Sequence, residues 1–143
     1  MMPTAVVVIG HWLSVVLLLG SQLFMAAAFW SWLATAHGVD GFLRGFRVFR
    51  PFMVLASLVL VASGVQQLIL MGGMRAMPML FHIKLTFALI VIVSALVQSL
   101  IVFPKWQATP RSEALAKTFW ILSLLMSIAG VGAVICLALA KGY

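Results

Sequence analysis

Residues 79–103, MLFHIKLTFALIVIVSALVQSLIVF, decide the fold. The run holds one charged side chain, Lys84, and exceeds the ~20 apolar residues that a helix needs to cross a bilayer. Its end is expected at Pro104, which cannot donate into a continuing helical ladder. Three further stretches pass the same test: about Ala5 to Trp32 or slightly beyond (residue 35 at most), Pro51 to Met71, and Ala116 to Ala140. Pro51 suits a first helical position. Lys141 and Gly142 form an end signal for the last run. The first run is longer than the hydrocarbon requires, which predicts tilt or a protruding end.

The composition leaves little else. Of 143 residues, 65% are hydrophobic and 8% charged, against ~25% charged in soluble domains. The two acids are Asp40 and Glu113. A soluble surface needs more charge than this, and a disordered chain far less apolar content. The single cysteine, Cys136, excludes an intramolecular disulfide and a multi-cysteine metal site. The net charge of +7 is spread over loops and helix ends, a membrane-topology pattern rather than a nucleic-acid footprint. Ala34-Thr35-Ala36 looks like a signal-peptidase site, but no Lys or Arg precedes the first apolar run, and the run is too long for a signal core. It is therefore read as a permanent helix.

Charge gives an orientation. Arg44, Arg47 and Arg50 lie between the first two runs, and Lys105, Arg111 and Lys117 between the last two. Arg75 and Lys141 lie on the opposite side. The excess places the 37–50 and 104–115 connections in the cytoplasm. Both termini then face outward, into the periplasm of a bacterial inner membrane. Trp30, Trp32, Trp106 and Trp120 are placed as an aromatic belt near that cytoplasmic interface. Each run carries a stripe of small or polar residues: Gly10, Ser14, Ser21 and Ala28; Ala56, Ser63 and Gln67; Lys84, Ala88, Ala95, Gln98 and Ser99; Ser123, Ser127 and Gly130. Such stripes are what helices use to associate in lipid. The expected fold is an all-α, integral-membrane, up-down-up-down four-helix bundle forming a single domain over residues 1–143.

Ionisable groups at membrane depth are functional candidates. Here they are His11, His82 and Lys84; no carboxylate lies within a run. That excludes paired-carboxylate catalysis. His11 and His82 open helices that run the same way, and a rise of 1.5 Å per residue puts the two imidazoles within roughly 5 Å in height. Gln66 and Gln67 end near that level. Two such imidazoles can ligate a b-type haem or a copper ion. Against this, His82 lies about 160° around the helix from the Lys84 stripe, and His11 flanks its own stripe by roughly 60°. The alternative is a His82 hydrogen-bonded to water or headgroups, a structural His11, and a Lys84 that snorkels. His37 belongs to a connection and reads as solvated. Met71, Met74, Met77 and Met79 cluster before His82. Thioethers and imidazole suit copper, although Met is also an adaptable apolar filler.

The order of these features resembles the CopD-like membrane protein superfamily, including the HemJ-type porphyrinogen oxidases. His11-Trp12-Leu13 followed by Leu19-Gly20 is similar to its first-helix pattern. FRVFRPFMVLASLVLVASG (46–64) is similar to its arginine-led second helix, and LFHIKLTFALIVI (80–92) to a third helix opened by His-x-Lys. The resemblance implies a four-helix, haem-binding or copper-handling protein, and in the HemJ type the functional positions correspond to His11 and Lys84. MAAAFWSWLATAH (25–37) and RSEALAKTFW (111–120) depart from the HemJ pattern at the end of the first helix and near the last.

Three expectations result. One is a haem-associated redox protein with His11 and His82 as axial ligands and Lys84 near a propionate. Another is a copper transporter or chaperone using Met71, Met74, Met77, Met79, His11 and His82. The last is a non-catalytic accessory subunit of a larger membrane complex. A homodimer is plausible, since His82 and the long first helix offer surfaces beyond one bundle.

Overall fold

The computed structural model describes residues 4–35, 38–73, 75 and 78–141. Helix α1 spans Thr4–Leu33 and α2 Gly38–Leu70. Helix α3, Met79–Val97, passes through a π-helical turn, Gln98–Val102, into α4, Phe103–Ala108. Helix α5 spans Glu113–Lys141. Among the described residues, four helices are long and apolar enough to cross a membrane, α3 and α4 counting as one. Their outer surfaces carry many exposed large apolar residues, including Leu13, Val16, Ile69 and Ile128. Such a surface is intolerable in water and ordinary in lipid. The chain is an all-α, integral-membrane four-helix bundle. Helix α1 packs on α2 and α5, and α3 on α5 and α2, so α1 and α3 face each other across a diagonal.

Three boundaries differ from the sequence reading. Residues 38–50 are helical, so Pro51 lies inside α2 rather than at its start. The added turns bury Phe42, Leu43 and Phe46 while Arg44 and Arg47 stay exposed. An amphipathic stripe therefore docks on the core, and tertiary packing outweighs the interruption at Pro51. The third span continues past Pro104 to Ala108. The π-turn explains this: the Phe103 N–H bonds the Gln98 carbonyl, and the missing proline N–H falls where the ladder changes register. Finally, α5 begins at Glu113, a turn before Ala116. There the Ser112 hydroxyl accepts the Leu115 N–H at 3.3 Å, an N-cap bond, and Glu113 complements the helix dipole.

The end of α2 is set by glycine. Gly72 has φ 92°, its N–H reaches the Ile69 carbonyl, and the Gly73 N–H reaches Leu68. This is a Schellman closure, which needs a left-handed residue at the position of Gly72.

Two core layers occupy one half of the bundle. At the basic end, Phe29, Phe42, Phe46, Phe103, Trp106 and Phe119 are buried together. The Phe119 ring stacks on Phe29 and meets Phe42 and Phe46 edge-on. Next comes Leu18, Met53, Ala56, Ala95 and Met126. A polar layer crosses between them. Gln98 accepts from the Gln22 amide at 3.1 Å and donates to Ser123 Oγ at 2.7 Å and the Phe119 carbonyl at 3.0 Å.

Candidate functional site

The other half of the bundle is open. A cavity of about 450 Å³ lies between all four spans, at the level of residues 8–19, 60–68, 84–92 and 130–137. Its polar side chains are His11, Gln67 and Lys84; the rest of its wall is apolar, aromatic or glycine. Among the described residues, no carboxylate lines it. Bundle interiors with a few convergent polar groups are a usual place for ligand sites.

Helix α1 presents His11 here, on the side packed against α2: its neighbour Gly10 faces Val59, and a Cβ there would make an ordinary contact at 3.9 Å. His11 Nδ1 lies 2.8 Å from Ser63 Oγ on α2. The Ser63 hydroxyl in turn reaches the Leu60 carbonyl at 3.2 Å. A Ser63 hydroxyl that donates to Leu60 can accept from an Nδ1–H, and in that tautomer the Nε2 lone pair is left for a ligand. Metal-binding imidazoles are oriented by this kind of second bond. Lys84 reaches the cavity from α3, with its Nζ 5.9 Å from the Phe81 ring centroid.

The structure thus brings His11, Lys84 and Gln67 to one cavity and does not bring His82 to it. His82 is half-buried beside the Phe81 ring, centroids 6.4 Å apart, and its carbonyl accepts the Thr86 hydroxyl. This follows the angular offset read from the sequence: with Lys84 directed inward, a residue roughly 160° away points elsewhere. Met71 and Met79 are exposed at the same end of the molecule. Met74, Met77 and His37 lie outside the described residues. Among the described residues, no group of three or more His, Cys, Asp or Glu is placed to hold a metal ion.

Sequence reasoning overlooked two participants. Gln22, completely buried, is half of the interhelical amide pair. Its signal was a lone amide within an apolar run, beside the Ser21 that was assigned to the packing stripe. The sequence marks Ser63 only as part of a packing stripe, yet its hydroxyl lies 2.8 Å from His11 Nδ1.

At the opposite end a shallow depression of about 890 Å³ holds Asp40 and Glu113 together with Arg111 and Lys117. Its charges balance, and it lies at the rim of the bundle. No protein-family model, curated protein or solved structure matches this chain.

Proposed function

We propose that this protein is a haem-associated integral-membrane protein that holds b-type haem in the bundle cavity. The observation that carries the reading is His11: an intramembrane imidazole, fixed through Nδ1 by Ser63, on the wall of an apolar cavity that also contains a lysine. Imidazole is a standard axial ligand for haem iron, and a His11 held through an Nδ1–H has its Nε2 available for it. Lys84 complements a propionate, and the apolar wall suits the macrocycle. The volume falls within the usual range for ligand pockets, about 300–1,000 Å³. Bound haem would supply one-electron transfer. The chain's own part is to hold the imidazole, orient the carboxylates toward Lys84, and keep bulk water from the buried face. His82 stands outside this wall, so His11 is the imidazole that the interior contributes.

The clustering of Arg44, Arg47, Arg50, Lys105, Arg111 and Lys117 at the aromatic end supports an orientation with that end in the cytoplasm. The cavity then lies in the outer half of a bacterial inner membrane.

The test is an absorption spectrum of detergent-purified protein, as isolated and after haem loading, oxidised and reduced. A Soret band that His11→Ala removes and Lys84→Gln weakens is the expected result. A wild-type protein that shows no Soret band after loading refutes the proposal.

A further inference from the structure

The cavity is bounded unevenly. Val61 and Val65 of α2 and Leu89 of α3 line it, yet they are 43%, 51% and 54% exposed on the outside of the bundle. The wall there is one side chain thick. It coincides with the α2–α3 seam, the most lightly packed of the four. Outside that seam, at this depth, is lipid. On the opposite flank, Val8, Trp12 and Val134 are nearly as exposed, but α1 and α5 pack more closely there than α2 and α3 do, and Trp12 adds an indole to the wall.

The cavity is also graded along its length. Gln67, close to the end of α2, and Lys84, close to the start of α3, lie at its shallow end, with His11 on α1. Leu18, Leu60, Val91 and Ile92 form its deep part. From Lys84 to Ile92 the helix rises roughly 12 Å. A cation at the shallow end and an apolar sleeve running inward match an anionic amphiphile lying head-outward.

We infer that the cavity is a binding site for an anionic amphiphile dissolved in the bilayer, which passes into it sideways between α2 and α3. Val61, Val65 and Leu89 form the portal, and Lys84 receives the acidic head. The inference concerns the same cavity as the haem proposal but requires only that it be a ligand site, whatever the ligand's body.

The test uses the full chain in liposomes, with Cys136→Ser so that a thiol introduced by Ala88→Cys on the cavity wall is the sole target. The probes are a pyrenyl maleimide dissolved in the bilayer and a membrane-impermeant charged thiosulfonate. The lipid-borne reagent should react faster. Val65→Trp with Leu89→Trp should slow it at least about fivefold by filling the portal, whereas Leu13→Trp with Ile128→Trp, on exposed helix faces that do not line the cavity, should change it by less than about twofold. Palmitate in the bilayer should protect the thiol, hexadecanol should not, and Lys84→Gln should abolish the protection. Ala133→Cys provides a second reporter if Ala88→Cys misfolds. Portal variants that leave the lipid-borne reaction unchanged, faster labelling by the charged reagent, or equal protection by hexadecanol overturn the inference. A missing Soret band alongside palmitate protection rejects haem and leaves the portal standing. A Soret band with unaltered labelling in the portal variants does the reverse.

Discussion

Replacing Gln98 by Leu removes the hub of the buried polar layer with little change in volume. The wild-type amide makes three hydrogen bonds, to Gln22, Ser123 and the Phe119 carbonyl, and is fully enclosed. Hydrogen bonds between membrane helices average about 0.6 kcal/mol each and reach about 1.7. Three at the average make the Gln98→Leu change destabilising by roughly 2 kcal/mol. That figure stays modest because Ser123 and Gln22 find other partners in the unfolded chain. Part of the loss is the stranding of Gln22, whose Oε1 is already unpartnered and whose Nε2 keeps only Met53 Sδ at 3.9 Å. Removing both amides should therefore cost less than the two single changes added together.

The assay is reversible unfolding of detergent-solubilised protein by sodium dodecyl sulfate, followed by tryptophan fluorescence. The variants are Gln98→Leu, Gln22→Leu and the double. The expected coupling is about 0.6–1.7 kcal/mol, in the sense that the double variant is more stable than additivity requires. Strict additivity, or a Gln98→Leu protein as stable as wild type, would refute the claim that this layer ties α1, α3 and α5 together.

Ser63→Ala releases His11 Nδ1 and should weaken haem binding about 10- to 100-fold, while Ser57→Ala, whose hydroxyl bonds its own helix at Met53, should leave it unchanged; a haem titration checks both. Gly132→Ala puts a Cβ 3.1–3.3 Å from the Phe87 ring and should lower unfolding stability, whereas Gly64→Ala meets nothing within 4 Å and should be tolerated. Gly64→Leu projects into the cavity and should abolish the Soret band without loss of the folded fraction, read by gel filtration in detergent. Phe119→Ala empties the centre of the aromatic layer and should cost about 3–5 kcal/mol in the same unfolding assay.

The spans were legible because hydropathy over some twenty residues is a strong local signal. The opposition of Lys84 and His82 was legible too, since it follows from angular position on one helix; which of the two lines the interior was not, because that depends on where the neighbouring helices pack. What escaped depended on partners. Phe42, Leu43, Phe46 and Phe49 lie on one side of residues 38–50, but three interleaved arginines made the segment look like a connection. Only the aromatic rings contributed by α1, α4 and α5 give that stripe something to dock on. Pro104 read as a stop because the compensating π-turn has no local sequence mark. Gln22 became significant only once α1 and α3, distant in the chain, brought two amides within 3.1 Å across the diagonal.

The uneven filling of the bundle explains why a cavity can persist in it. A void in a uniformly soft helical interface would be closed by sliding the helices together, because lipid offers no hydrophobic resistance to rearrangement. Here the other half is fixed. Stacked rings and the Gln22–Gln98–Ser123 layer specify both spacing and register, and Trp120 Nε1 adds a bond to the Ala26 carbonyl at 3.0 Å. Gly130 presses against Leu19 closely enough that a Cβ would stand 2.6 Å from its Cδ1, which seats α1 on α5 at the cavity wall. Above that contact the same rigid helices must continue outward, and small residues such as Gly64, Ala88 and Ala133 leave the space between them unfilled. Preorganisation of this kind lowers the conformational cost of binding. The filled half is thus what gives His11 and Lys84 a fixed separation, and disrupting the amide layer should loosen ligand affinity at a site that it does not touch.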